Sequence, residues 1–166
     1  VVAGEGGHGL VFTFVGGEPE RGVNNVEYIT SNGGNARHGI RIDSPNNTVS
    51  TSGVFNNGFS GISLNGDLAN NNTITSNFIG VGLSASLDQE RTVEDVGNTQ
   101  NGISVLNASR NIISRNFISG NDLHGIRISG SSAQYNVIEN NFIGIENENL
   151  SLGNSGDGIR IEAGAN

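Results

Sequence analysis

The three histidines of this chain, His8, His38 and His124, share one position: each stands immediately before the glycine of a Gly-apolar-x-apolar stretch. Other copies of that stretch carry Ser60, Asn101 and Asp157 in the same place. If copies stack on one another, His124 and Asp157 become neighbours. A carboxylate beside an imidazole can orient it for proton transfer, and the same pair also serves as a plain corner hydrogen bond. The middle residue of the stretch is Arg41, Arg127 or Arg160 in three copies, with Ser63 and Ser104 in two others. Arg127 and Arg160 belong to successive copies. Two guanidiniums a strand spacing apart could hold the carboxylates of an acidic sugar through forked pairs of hydrogen bonds. Glu162 and Asp157 are the competing partners within the chain.

Arg127, Arg160, Arg41, His124 and Asp157 are therefore the candidate polysaccharide-binding residues. No residue is assigned a catalytic role. Lyase chemistry calls for a calcium-holding carboxylate cluster and a base, and hydrolysis for paired carboxylates at a set spacing. The six Asp are dispersed, Ser155-Gly156-Asp157-Gly158 has glycine where a second acid is wanted, and there is no Lys. The expectation is of no metal and no cofactor, and the chain reads as leaning away from an enzyme.

These residues are positioned by a repeat. Gly39-Ile40-Arg41-Ile42, Gly61-Ile62-Ser63-Leu64, Gly102-Ile103-Ser104-Val105, Gly125-Ile126-Arg127-Ile128 and Gly158-Ile159-Arg160-Ile161 are five versions of one word. Between them lie Asn47-Thr48-Val49, Asn72-Thr73-Ile74, Asn111-Ile112-Ile113 and Asn136-Val137-Ile138. A third word follows: Asn77-Phe78-Ile79, Asn116-Phe117-Ile118 and Asn141-Phe142-Ile143, with Ser52-Gly53-Val54 as its imperfect member. Short β-favouring words separated by Asn, Gly and Ser read as strands joined by tight turns. Three strands per turn of 22 to 25 residues predict an all-β solenoid, a parallel β-helix of about six coils over residues 1–166. Residues 1–37 form a degenerate first coil. A 64-residue offset relates Asn47, Gly61, Asn72 and Phe78 to Asn111, Gly125, Asn136 and Phe142, marking two-coil units at 38–100 and 101–166. The first carries a charged insertion holding Asp88, Glu90, Arg91, Glu94 and Asp95.

Alternation within each word predicts that both Ile of Gly-Ile-x-Ile point inward. Stacking then gives the interior columns Ile40, Ile62, Ile103, Ile126, Ile159 and Ile42, Leu64, Val105, Ile128, Ile161. A third interior column is expected from Phe78, Phe117 and Phe142. Asn77, Asn116 and Asn141 are expected to form an internal amide ladder.

The words N-x-I, N-F-I-x-G-N and G-I-x-I resemble the right-handed parallel β-helix repeats of bacterial secreted and surface proteins, in the broad pectate-lyase-like architecture. The resemblance covers His38 to Asn166. It implies the fold and not an activity, because such proteins include polysaccharide lyases, hydrolases and epimerases beside adhesins and surface-repeat proteins. Right-handedness also follows from the chirality of parallel crossovers.

The leading expectation is a non-catalytic scaffold at the cell surface or outside the cell, part of an adhesive or fibre-forming protein. The alternative is a carbohydrate-active enzyme or a module that binds acidic polysaccharide. A net charge of −8 opposes binding to a nucleic-acid backbone. No apolar run approaches the length of a bilayer span, so no membrane insertion is expected. Cys and Met are absent, which removes disulfide and thiolate chemistry. The sequence begins without Met, as either a processed product or an excised piece would, and stops just after the strand word of Ile159 to Ile161, where an Asn-x-Ile word is next due. Solenoids need capped ends, and the lack of any capping pattern leaves two expectations: a chain cut from a longer solenoid, or head-to-tail self-association through the coil ends.

Overall fold

The computed structural model describes residues 7–12, 25–27, 32–85, 91–144, 146–147 and 150–166. Asn24, Asp88 and Glu90 lie outside the described residues. Three parallel sheets run along one axis, and the chain visits each in turn. The first holds six strands in the order Leu10–Phe12, Ile40–Ile42, Ile62–Asn65, Ile103–Leu106, Ile126–Ser129 and Ile159–Glu162. The second holds Asn25–Glu27, Thr48–Ser50, Thr73–Thr75, Ile112–Ser114 and Val137–Glu139. The third holds Gly53–Val54, Phe78–Ile79, Phe117–Ile118 and Phe142–Ile143, with Asn32 bridged to Val54. The strands of each sheet come from successive coils, so the architecture is a parallel β-helix. Two antiparallel hairpins interrupt it: Val81–Ala85 with Arg91–Asp95, and Glu146–Asn147 with Leu150–Ser151. They occupy the two places where the repeat units differ in length.

Pairing follows the sequence words residue for residue. Ile103 lies between Ile62 and Ile126, and Ser104 between Ser63 and Arg127. Ile40, Ile62, Ile103 and Ile126 are fully buried, as are Ile42, Leu64 and Val105. Val49, Ile74 and Ile113 line the core from the second sheet, and Val54, Ile79 and Ile118 from the third. The glycines that open the first five strands of this sheet are needed for close approach, whereas a Cβ at Gly158 would meet Ile143 Cγ2 at an ordinary 3.5 Å. A Cβ at Gly102 would lie 2.5 Å from Ile118 Cγ2, 2.8 Å from the Gly125 carbonyl oxygen and 2.9 Å from Asn121 Nδ2.

The phenylalanine column departs from expectation. Phe78 and Phe142 are 38% and 65% exposed, and the rings stack outside the coil at centroid distances of 5.7 and 6.4 Å. The reason is alternation: in Asn-Phe-Ile the Asn side chain turns inward, so the next residue must face out and Ile faces in. The inward residues of this sheet are Val54, Ile79, Ile118 and Ile143, the last partly covered.

The Asn77, Asn116, Asn141 ladder is present. Asn116 Oδ1 accepts from the Asn77 backbone N–H at 3.0 Å and from its Nδ2 at 2.9 Å. Asn116 Nδ2 donates to Asn141 Oδ1 at 3.0 Å and to the Ile74 carbonyl at 2.9 Å. A second ladder runs Asn47, Asn72, Asn111, Asn136. A third runs Asn35, Asn57, Asn98, Asn121, Asn154, with side-chain hydrogen bonds of 2.6 to 2.8 Å. The residue before each amide in the first two ladders is a left-handed corner, at Asn46, Asn71, Arg110 and Tyr135 and again at Ser76, Arg115 and Asn140.

Facing decides what substitutions cost. Ile103→Asp should destabilise the protein by several kcal/mol, because an unpaired carboxylate would be buried. Ile118→Ala should cost about 2 to 5 kcal/mol as a cavity in the core, whereas Phe142→Ala, on the outer surface, should cost less than about 1 kcal/mol. Urea unfolding of the three variants checks this, and equal losses at Ile118 and Phe142 would refute the assigned facing.

Candidate functional site

The outward arginines of the first sheet are held by the protein's own carboxylates. Arg127 and Arg160 are paired in register, and Glu162 lies between them. Its Oε1 accepts from Arg127 Nε at 2.7 Å and from Arg127 Nη2, and its Oε2 accepts from Arg160 Nε at 2.7 Å. Arg160 Nη1 donates to Asp157 Oδ2 at 3.1 Å. Hydrogen bonds from Arg160 and then Arg127 hold the Glu162 carboxyl below its ordinary range, and the same partners raise Arg160. A carboxylate of an incoming sugar would have to displace Glu162 from both guanidiniums. Arg41 sits three strands away across Ser63 and Ser104 and is paired with Asp43 at 2.7 Å. Arg127, Arg160, His124 and Asp157 thus share one patch, and Arg41 lies apart from it.

His124 and Asp157 are neighbours, as the repeat predicts. Their backbone contact is the shorter one. The Asp157 N–H donates to His124 Nδ1 at 2.9 Å, while the Asp157 carboxylate is 3.5 Å from the same nitrogen. The other two histidines make the same bond: His8 Nδ1 accepts from the His38 N–H at 3.3 Å, and His38 Nδ1 from the Ser60 N–H at 3.1 Å. An imidazole that accepts at Nδ1 in its neutral form carries its proton on Nε2. All three therefore act as corner acceptors that tie one coil to the next. His8 and His38 stack face to face with centroids 5.3 Å apart and planes 2° from parallel. Desolvation, followed by the charge of His8, pushes the His38 pKa down to about 4; burial and Arg41 also lower His8.

Two features escaped the sequence reading. The third ladder has a constant signal, an Asn four residues before the strand glycine, as Asn-x-x-x-Gly at Asn35, Asn57, Asn98, Asn121 and Asn154. The outward phenylalanine strip was legible from alternation once Asn was known to point inward.

Parallel sheets from successive coils, buried aliphatic columns and amide ladders define the chain as a parallel β-helix protein. A family model described as "Periplasmic copper-binding protein (NosD)" matches residues 18–164, and the chain belongs to that family of right-handed parallel β-helices. No curated protein and no solved structure matches the chain.

The donor set of the described residues does not fit a copper centre. Soft thiolate and thioether ligands are the ones that select Cu(I), while imidazole suits Cu(II). The sequence has neither Cys nor Met, and each of its three imidazoles has Nδ1 engaged by a backbone N–H. The parallel 5.3 Å stacking of His8 and His38 sets like ring atoms too far apart to share one ion at copper–nitrogen distances of about 2 Å. Among the described residues no group of three His, Cys, Asp or Glu could hold a metal.

Two measurements follow. Titration with Cu(I) against a chromophoric chelator should leave the metal with the chelator, and transfer of one equivalent to the protein would overturn the reading of the donor set. Because the folded His38 pKa lies below the unfolded value of about 6.5, its contribution to stability is complete above pH 6.5. That contribution is lost as pH falls toward 4. His38→Gln, which keeps an acceptor but does not titrate, should flatten the fall in Tm over this window relative to the wild type.

Proposed function

We propose that this chain is a non-catalytic β-helix scaffold that works outside the cytoplasm and is extended axially by another coil of the same register, supplied by a second copy. The family's description as periplasmic supports the location. No helix among the described residues is long and apolar enough to cross a membrane.

The observation that carries the reading is the chemistry of the face that the strands Val137–Glu139, Phe142–Ile143 and Ile159–Glu162 leave uncovered among the described residues. Ile159 and Ile161 continue in register the columns of Ile126 and Ile128, yet they are 45% and 59% exposed where their neighbours are buried. In each ladder a lower Asn gives its backbone N–H and one Nδ2 hydrogen to the Oδ1 of the next Asn. Asn136, Asn141 and Asn154 are the upper rungs. Their Nδ2 groups donate to Ala108, Ile113 and Ile118, and their backbone N–H groups have no acceptor among the described residues. The face thus presents three sets of amide donors at the corners of an apolar triangle. A coil with Asn at its three corners and aliphatic residues at its inward positions answers both features, as each coil does inside the molecule. Such a contact is head-to-tail and propagates unless its rotation closes. The outward cations of the first sheet being engaged by Glu162, Asp157 and Asp43 supports a structural part for that face over a catalytic one.

Sedimentation equilibrium over a wide concentration range should show growth beyond the monomer, and small-angle scattering should show lengthening at constant cross-section. Ile161→Asp should abolish both while leaving the monomer folded, since the residue is already exposed. A wild type that stays monomeric at high concentration, with the same Tm and scattering as Ile161→Asp, would sink the proposal.

A further inference from the structure

Along the axis from His8 to Asp157, one set of hydrogen bonds joins successive coils at the corner that precedes each first-sheet strand. Gly9 and Leu10 donate their N–H groups upward to the carbonyls of His38 and Gly39, at 3.1 and 2.9 Å. Arg37 donates its N–H downward to the Gly7 carbonyl at 3.1 Å, and His38 donates its own to His8 Nδ1 at 3.3 Å. The same four bonds join the coil of His38 to that of Ser60, Asn101 to His124, and His124 to Asp157, where the side-chain acceptors are His38 Nδ1, Asn101 Oδ1 and His124 Nδ1. Between Ser60 and Asn101 the two upward bonds recur, but Ser60 Oγ is buried without a partner: a serine side chain is too short to reach the next corner. The corner residue of a coil thus supplies the acceptor for the N–H of the coil above. Asp157 holds that place in the uppermost described coil. Its Oδ2 faces Arg160 Nη1 at 3.1 Å and His124 Nδ1 at 3.5 Å, and its Oδ1 has no hydrogen bond among the described residues.

We propose that this corner seats residues 7–12 of a second copy, which donates its His8 N–H to Asp157 Oδ1 and adds its strand Leu10–Phe12 to the first sheet beside Ile159–Glu162. The junction rests on the axial association proposed above and names the segment that meets the uncovered face. Among the described residues Leu10–Phe12 and Ile159–Glu162 are the two edges of the six-stranded sheet, so each lacks a neighbour on the side that the other would occupy. The bonding groups match one for one. Gly158 and Ile159 repeat Gly125 and Ile126, which donate upward to the carbonyls of Asp157 and Gly158. In the junction the carbonyls of His8 and Gly9 take the N–H groups of Gly158 and Ile159, and Gly7 donates to the Gly156 carbonyl as Gly156 itself does to Leu123. Leu10 and Phe12, in register with Ile40 and Ile42, extend the columns of Ile159 and Ile161. The outward position between them is Val11. Glu162 is already shared by Arg127 and Arg160, so a third guanidinium there would lack a carboxylate, and Val11 brings no charge. Asp157 is the one anionic residue among His8, His38, Ser60, Asn101, His124 and Asp157, and an N–H bond to a carboxylate is roughly twice as strong as one to a neutral acceptor. The pairing is head to tail because the complementary edge lies at the opposite end of the sheet.

The chain has no cysteine, so disulfide trapping between two single variants tests the junction. Residues 11 and 160 would be in-register neighbours about 4.8 Å apart, within the roughly 4.4 to 6.8 Å between Cα atoms that a disulfide spans. Val11→Cys mixed with Arg160→Cys should give a covalent dimer under mild oxidation. Val11→Cys mixed with Arg115→Cys, an exposed corner away from the first sheet, should not. In sedimentation equilibrium Asp157→Ala should weaken association about tenfold, the loss of one charge-assisted hydrogen bond. Asp157→Asn, which keeps an acceptor as Asn101 does, should weaken it much less. Tm should hold in both, since the Asp157 side chain is 56% exposed. Wild-type association without the cross-link from residue 11 to 160, equal cross-linking by the Arg115→Cys pair, or equal losses in Asp157→Asn and Asp157→Ala would each overturn this junction and leave axial association standing. A wild type that stays monomeric at every concentration would overturn both.

Discussion

The structure depends on one recurrent interaction, the buried asparagine amide that receives two hydrogen bonds from the coil below and gives one to the coil above. A corner between short strands turns a backbone N–H inward, where no strand partner can reach it and where an orphan donor would cost about 1 to 3 kcal/mol. Stacked Asn side chains solve this at all three corners. Where Asn follows Asn, Oδ1 takes both the backbone N–H and the Nδ2 hydrogen of the preceding Asn; Nδ2 spends its other hydrogen on a carbonyl of the preceding coil at Asn116 and its like, and on Ser44 and Ser119 of the same coil at Asn47 and Asn121. Asp cannot donate and Gln is a methylene too long, so the geometry demands Asn. With every rung satisfied, the coils hold one register and the aliphatic columns fall into place.

That constraint explains the left-handed corners. Arg110, Arg115, Tyr135 and Thr51 adopt positive φ although none is Gly or Asn, a conformation that costs roughly 1 to 2 kcal/mol per residue. Arg110, Arg115 and Thr51 each precede a residue whose backbone N–H is taken up by a ladder amide, at Asn111, Asn116 and Ser52, and Tyr135 precedes the upper rung Asn136. The amide network offsets the strain and frees the corner side chain from any packing duty. Corner positions are then open to Arg or Tyr, and it is there that the coils differ most.

The histidines illustrate how the same backbone need is met by another chemistry. At the corner before each first-sheet strand, Nδ1 of His8, His38 and His124 accepts an N–H from the next coil. The residues that a metal reading would choose are thereby committed to holding coils together. Membership of a family described as copper-binding and the donor chemistry of this chain are therefore separate matters: the fold is shared, and among the described residues no cluster of side chains would carry the metal.

Much of this was legible in the sequence. Gly-Ile-x-Ile, Asn-x-Ile and Asn-Phe-Ile specified strand length, facing of the first two sheets and the pairing of Ile62, Ile103 and Ile126, because period-two alternation and stacking are local consequences of side-chain type. The neighbourhood of His124 and Asp157 followed from register alone. The facing of Phe78, Phe117 and Phe142 did not, because hydrophobicity and alternation conflict there and the buried Asn amide decides between them. Nor could the sequence say that Glu162 would bridge Arg127 and Arg160 while Arg110 and Arg115 have no carboxylate partner among the described residues. Periodicity sets which residues stack, but the reach of a long charged side chain to a partner 35 positions away is set only once the coils have closed and their corners are fixed in space.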